Sequence, residues 1–292
     1  MAAGTGVSDD TMALRGLAAI INARMVKMLF SASAKGPMKL ATFNVNSIRQ
    51  RAAHVARFLR RAQPDLLLLQ ETRCTAEQVP ALEFEALGYR THAVGQAGGR
   101  NGVAVLARIP FEIVAEALPG EAEDAQARYI EVAAGGMNIA GIYLPNGNSG
   151  GDEGYAYKLR WMERLRRLSA ARLDAFTPFA ILGDFNVCPT ERDLARGTLP
   201  PTDALCRPES RAAWRALEHL GLTDALRALH PAEVMYTYWD YGPAFEQNRG
   251  LRIDHALLSP DLAERLHACH VDTAPRSEEQ PSDHTPLIVE LQ

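Results

Sequence analysis

Pro281-Ser282-Asp283-His284-Thr285-Pro286-Leu287 sets an acid and an imidazole directly ahead of the apolar run Leu287-Ile288-Val289, which reads as a closing strand. A carboxylate able to hold a cation and an imidazole able to meet a phosphate would then share one strand end. Alone the pair is a weak signal, since adjacent Asp and His occur on surfaces by chance. Four other segments give it weight: Phe43-Asn44-Val45-Asn46, Leu69-Gln70-Glu71-Thr72, Gly183-Asp184-Phe185-Asn186 and Arg252-Ile253-Asp254-His255. Each carries acidic or amide side chains at or just beyond the end of an apolar run.

Outward from these segments the pattern alternates short apolar runs with helical periodicity. Residues 39–43 read as a strand. Ser47 and Gln50 stand at capping-box spacing, and Ile48, Ala52, Val55 and Leu59 follow at helical intervals. Pro64-Asp65 ends that helix. Leu66-Leu67-Leu68-Leu69 is too short for a stable helix and wholly apolar, so it reads as a buried strand with Glu71 just past its end. Residues 101–106, 128–132 and 137–143 read as further strands. Residues 153–173 form the longest expected helix, with Leu159, Met162, Leu165 and Leu168 as its buried stripe. Strands are expected at 179–182, 251–258 and 285–291, and helical segments around Trp214 and Leu226. No fixed-period repeat or low-complexity tract interrupts the pattern. Two sheets packed face to face with helices outside would satisfy it.

Composition sets bounds on the rest. The 292 residues are 47% hydrophobic and 23% charged, enough to bury a core without disulfides or a structural metal. Residues 38–292 make the expected domain, and residues 1–37 an unstructured extension in which residues 12–30 could form an amphipathic helix. Cys74, Cys188, Cys206 and Cys269 are scattered and read as reduced thiols of a cytoplasmic protein. No apolar run is long enough to span a bilayer. A net charge of −4 argues against coating nucleic acid non-specifically, yet leaves room for a local basic groove beside clustered carboxylates.

Hydrolysis of a phosphodiester needs neutralised phosphate charge, an aimed water and a stabilised leaving oxygen, and a divalent cation held by hard oxygens supplies the first and third. Glu71 is the first expected ligand, and Asp283 a further one. Asp184 could accept a proton from water and Asn186 could donate to a phosphate oxygen. Asp254 bound to one nitrogen of His284 would leave the other facing the phosphate. His255 would point to the opposite side of its strand. Asn44 and Asn46 could orient Glu71 or a metal-bound water. Each has a blander explanation as a turn, cap or surface residue. Tyr143 by itself reads equally as packing, and Cys188 as a packed thiol.

Together Thr42-Phe43-Asn44-Val45-Asn46-Ser47-Ile48-Arg49, Leu69-Gln70-Glu71-Thr72, Asn101-Gly102-Val103-Ala104, Tyr143-Leu144-Pro145-Asn146-Gly147, Gly183-Asp184-Phe185-Asn186-Val187, Asn248-Arg249-Gly250-Leu251-Arg252-Ile253-Asp254 and Ser282-Asp283-His284 closely resemble one family. It is the exodeoxyribonuclease III family of apurinic/apyrimidinic endonucleases, within the endonuclease/exonuclease/phosphatase superfamily. The resemblance runs from Met38 to the end of the chain. It implies an α/β fold, a four-layer α/β sandwich of two packed mixed β-sheets flanked by helices, working with Mg2+ or Mn2+ as a monomer on double-stranded DNA. The implied metal positions are Asn44, Glu71, Asp184, Asn186, Asp283 and His284. The implied catalytic set is Tyr143, Asp184, Asn186 and the Asp254–His284 pair.

The same likeness implies a pocket for a flipped-out abasic sugar at Tyr238, Trp239 and Leu251, with Trp239 as an exposed stacking ring where the residues alone also allow a core aromatic cluster, and substrate contacts from Arg49, Arg73 and Asn101. Arg73 stands where relatives commonly carry Lys. The activity implied is incision 5′ to abasic sites and trimming or cleaning of 3′ ends. Two other readings compete with it: a phosphohydrolase of the same superfamily acting on a lipid head group, and a DNA-binding module without catalysis.

Overall fold

The structure is a computed structural model in which residues 37–292 are described. Apart from Pro37, the expected extension over residues 1–37 and its candidate helix lie outside the described residues. Twelve strands run through the described residues: β1 (Met38–Asn44), β2 (Leu66–Gln70), β3 (Arg90–Val94), β4 (Val103–Ala107), β5 (Phe111–Ala115), β6 (Tyr129–Ala134), β7 (Met137–Tyr143), β8 (Phe179–Asp184), β9 (Thr223–Asp224), β10 (Asp254–Leu258), β11 (Leu266–Val271) and β12 (Leu287–Leu291). The helices are α1 (Ile48–Ala62), α2 (Ala81–Glu85), α3 (Gly151–Asp174), α4 (Pro208–His219), α5 (Ala225–Leu229) and α6 (Pro260–Ala263).

The strands form two six-stranded sheets, ordered β11-β12-β1-β2-β4-β3 and β5-β6-β7-β8-β10-β9. Within each sheet one pair is parallel, β1 with β2 and β7 with β8. A parallel pair needs a crossover, and α1 and α3 supply them. Leu66 and Leu68 face the second sheet, where they join Ile139, Ala180 and Leu182 in the central core. Leu67 and Leu69 face the other way, against Val55, Phe58 and Leu59 of α1. That period of two explains four consecutive leucines: the strand is buried on both faces. On the second sheet Phe179 and Ile181 turn outward against Trp161 and Leu165 of α3 and Trp214 of α4. The result is a four-layer α/β sandwich of two mixed sheets, as expected from the sequence.

Register brings the strand ends to one rim. Tyr143 of β7 and Asp254 of β10 both pair with Asp184 at the end of β8. Asn44 of β1 pairs with Gln70 of β2, one residue before Glu71. β12 runs antiparallel to β1, so the His284 segment that leads into β12 arrives at the same end. Gly183 lets β7 and β8 close up there. Its φ is +151°, and a Cβ would sit 2.0 Å from the Ile142 carbonyl oxygen.

Several local expectations give way. Ser47 precedes α1 but makes no side-chain cap. The amides of Ser47 and Ile48 donate instead to the carbonyls of Glu71 and Thr72, at 2.8 and 3.1 Å, so the next strand end does the capping. The buried face of α3 holds Tyr155, Lys158, Trp161, Met162, Leu165 and Ser169, and leaves Leu159 and Leu168 half-buried. The strand expected over 251–258 begins at Asp254. Ahead of it, Leu251 makes isolated bridges to Leu194 and Tyr238, and Arg252 turns into a buried ion network.

Candidate active site

At the shared rim, ligand atoms of Glu71, Asp184 and His284 lie within 4.8 Å of one another, although the three come from different strand ends. Asn44 braces two of them. Its Nδ2 donates to Glu71 Oε1 at 2.9 Å and to Asp184 Oδ2 at 3.0 Å, while its Oδ1 accepts from the Asn46 amide at 3.1 Å. The amide nitrogen of Asn44, not its oxygen, therefore faces the carboxylates. Arg73 Nε donates to Glu71 Oε2 at 2.8 Å. Burial works to raise the Glu71 carboxyl, but Arg73, Asn44 and His284 outweigh it and hold the group below its ordinary value. Burial raises the carboxyl of Asp184, and Asp254 and Glu71 add to this against the pull of His284.

His284 is buried, with Nδ1 2.8 Å from Asp254 Oδ2 and Nε2 3.8 Å from Asp184 Oδ2. A carboxylate can only accept, so Nδ1 carries the hydrogen and Nε2 is turned to the site. Burial opposes the imidazolium, but Asp254 overcomes it and holds the ring above its ordinary value. Ser282 fixes the approach: its hydroxyl donates to the Asn44 carbonyl at 2.7 Å and accepts from the His284 amide at 3.2 Å. Asn186 lies two residues past Asp184, with φ +48°. Its amide nitrogen donates to the Leu144 carbonyl at 2.9 Å, its Oδ1 accepts from Asn146 Nδ2 at 3.0 Å, and its backbone N–H donates to Asp184 Oδ1 at 2.9 Å. One side-chain hydrogen of Asn186 remains for a ligand. The Tyr143 phenol is pushed up by burial and by Glu71 and Asp184, so it stays a donor, and Arg128 stands 4.6 Å from its ring centroid.

These groups open into a cavity of about 340 Å3 that Tyr238, Leu251, Leu205 and Asp283 also line. A cavity of about 410 Å3 lies beside Trp214 and Arg227, but its guanidiniums from Arg227 and Arg252 are committed to Asp193 and Asp224. The smaller cavity holds the chemistry.

Of the residues expected from the sequence, Glu71, Tyr143, Asp184, Asn186 and His284 meet in this cavity, and Asp254 supports His284 from behind. Asp283 lines it outside the tight three-residue group, with Oδ1 accepting from Asn46 Nδ2 at 3.0 Å. Tyr238 and Leu251 form a wall, and the Tyr238 and His284 ring centroids are 5.0 Å apart. Trp239 departs from the expectation of an exposed stacking ring. It is 3% exposed, packs on Phe245 at 5.0 Å and donates to Asn248. Arg49 is exposed on the first turn of α1 and is not among the residues that line the cavity. Asn101 does not line the cavity: its carbonyl accepts from the Arg73 amide at 2.8 Å, and its Nδ2 donates to Gln96 Oε1 at 2.8 Å and Gln126 Oε1 at 3.3 Å. Asn146 and Ser282 also contribute, and nothing in the sequence marks them beyond their places inside the motifs quoted above. His255 points away as expected, with Nε2 at 2.9 Å from the Val187 carbonyl.

The sequence profile of the Endonuclease/Exonuclease/phosphatase family matches residues 41–284. Exodeoxyribonuclease III of Haemophilus influenzae is 33% identical over 267 residues, covering 87% of this chain and all of the relative. Among solved structures, an AP endonuclease from Archaeoglobus fulgidus superposes with a TM-score of 0.81 at 37% identity, covering 86% of this chain and 98% of that one. The 3′ phosphatase NExo from Neisseria, bound to a product DNA hairpin, superposes with a TM-score of 0.83 at 33% identity, covering 87% and 99%.

Proposed function

The chain belongs to the endonuclease/exonuclease/phosphatase family, and from that premise we propose that it is a metal-dependent DNA repair hydrolase of the exodeoxyribonuclease III type. It cleaves the phosphodiester 5′ to abasic sites and trims or cleans the 3′ ends of duplex DNA. The observation that carries this reading is the meeting of Glu71, Asp184 and His284 within 4.8 Å, with Asp254 behind the imidazole.

Glu71 and Asp184 would hold Mg2+, or Mn2+ in its place, with Asp283 near by; hard oxygens at this spacing suit such an ion. When bound, the cation would neutralise phosphate charge and stabilise the leaving oxygen. The protein's own groups do the rest. Asp184 takes the proton of the attacking water. Asn186 gives its free amide hydrogen to a phosphate oxygen, and the Tyr143 phenol donates beside it. His284 Nε2 faces the phosphate while Asp254 fixes its tautomer. Tyr238 and Leu251 form an apolar wall for the sugar. No helix of the described residues is long and apolar enough to cross a membrane. A cytoplasmic, monomeric protein completes the proposal, since all four thiols are buried and free, which suits a reducing compartment.

The test is an end-labelled duplex with one abasic analogue, incubated with Mg2+ or with EDTA, its products resolved by length. Incision at the analogue and shortening from the 3′ end are expected with Mg2+ and lost with EDTA. Asp184→Ala should slow cleavage by about 1000-fold or more while gel-shift binding persists. Near-normal turnover in that variant would remove Asp184 from the role of base.

A further inference from the structure

Lys158 is the one lysine on the buried face of α3, and it is fully buried. Its Nζ donates to the Asn186 carbonyl at 2.6 Å and to the Asn146 carbonyl at 3.0 Å. Both acceptors belong to main chain, one in the turn after β7 and one in the turn after β8. The two turns are already laced together, by Asn146 Nδ2 on Asn186 Oδ1 and by Asn186 Nδ2 on the Leu144 carbonyl. Lys158 closes this lacing from beneath. Gly147 makes room for its stem: with φ +89°, a Cβ there would come 2.7 Å from Lys158 Cδ.

An amine at the centre of a packed layer is a poor choice for packing alone. Burying it carries a desolvation cost that an apolar side chain of the same length avoids. What it does provide is two hydrogen bonds to main-chain carbonyls, the Asn186 bond buried and the Asn146 bond partly buried. Asn186 meanwhile holds a left-handed backbone that L-residues adopt at a cost, so something must hold its turn in place. Burial pushes the Lys158 ammonium down to about 7. The amine and the ammonium both have enough hydrogens for two bonds, so the clamp works in either form.

We propose that Lys158 is a positioning residue for DNA cleavage, pinning the Asn146 and Asn186 carbonyls so that the Asn186 side chain is aimed at the scissile phosphate. The role rests on the reading of Asn186 given above, and the test separates the two. Cleavage of the abasic duplex is followed with enzyme in excess, for the wild type, Lys158→Met, Asn186→Ala and the double variant. Misaiming a group by about 1 Å should lower the maximal rate of Lys158→Met by about 100-fold. The half-saturating enzyme concentration should stay within about threefold of wild type, since substrate binding is not what is lost. In the Asn186→Ala background the same change should cost less than about threefold, because the group it aims has gone.

Equal losses in both backgrounds, or a folded Lys158→Met with a normal maximal rate, would overturn the role. If Asn186→Ala itself cleaves normally, the reading of the site fails first. Should Lys158→Met not fold, Lys158→Gln keeps a donor and must still show a lowered rate at unchanged half-saturation. A chain that folds in neither variant makes Lys158 a stability element and defeats the proposal.

Discussion

His284 owes its orientation to one contact. Asp254 Oδ2 takes the hydrogen of Nδ1, and Asp254 Oδ1 is buried without a partner, so the carboxylate has no other side-chain task in the described residues. Asp254→Asn keeps the shape but removes the charge that holds the imidazole in place. Cleavage should fall about 100-fold with folding intact, measured as the maximal single-turnover rate beside a thermal melt. A rate within threefold of wild type would mean that packing alone orients His284. At this scale the acids and the imidazole were legible in the sequence, because each stands beside one end of an apolar run and few other roles suit such a set. Lys158 was not, and for Trp239 the sequence left two places open, a stacking ring and a core aromatic cluster, of which the second holds. Lysine reads as surface by default, and only the path of α3 past Gly147 puts it inside. Trp239 reads as a stacking ring by likeness, yet its neighbours Tyr236 and Phe245 close over it. Asn44 was legible as a site residue but not in its orientation, since the Asn46 amide decides which end of the side chain meets the carboxylates.

Strands and helices show a sharper division between what could and could not be read. β1, β2, β4, β6, β7, β8, β10 and β12 all announce themselves as apolar runs. β3, β5, β9 and β11 do not, and these four are the edges of the two sheets. An edge strand has one neighbour and an exposed flank, so its sequence lacks the continuous burial that marks a central strand. β5 is mostly exposed past Phe111, and β11 is buried at Cys269 alone. The elements that carry the candidate site are central, and for that reason the site was easier to find than the sheet borders. The parallel pair β7/β8 closes up at Gly183, which stands opposite Ile142. In Gly183→Ala the added Cβ would meet the Ile142 carbonyl oxygen at 2.0 Å on a backbone with φ +151°. Separating the two strands there should cost about 2–3 kcal/mol, read as a lower urea midpoint. Activity should fall with it, because Tyr143 and Asp184 are register partners. A variant with an unchanged midpoint would show that the strands need no such close approach.

The whole molecule works as two halves that are incomplete alone: β1 and β2 bring Asn44 and Glu71, while β7, β8 and β10 bring Tyr143, Asp184 and Asp254. The sequence pattern indicated two sheets packed face to face, but not the strand order and register that bring these residues to one rim. Behind the second half lies a buried network that no motif announced. Arg252 Nε meets Asp193 Oδ1 and Arg252 Nη1 meets Asp224 Oδ2, both at 2.7 Å. Arg252 Nη1 also lies 2.9 Å from His255 Nδ1. A guanidinium can only donate, so Nδ1 accepts, and the Nε2 hydrogen goes to the Val187 carbonyl. The neutral ring is therefore the one that fits, and Trp214 covers it at 4.4 Å. Burial first, then Arg252, pushes the His255 imidazole down to about 3. An unfolded histidine titrates near 6.5, so between roughly pH 3 and 6.5 the unfolded chain binds one more proton at this position than the folded one. The stabilisation is whole above pH 6.5 and shrinks by about 1.4 kcal/mol per pH unit on the way down. Asp184, whose carboxyl is raised, and His284, whose imidazole is raised, titrate in every variant that keeps them, so they drop out of a difference. Urea unfolding of wild type and His255→Gln, measured in EDTA from pH 4.5 to 7.5, should give a stability difference that changes with pH below 6.5 and is flat above it. A difference that stays constant across the whole range would mean that His255 is not held neutral in the folded protein.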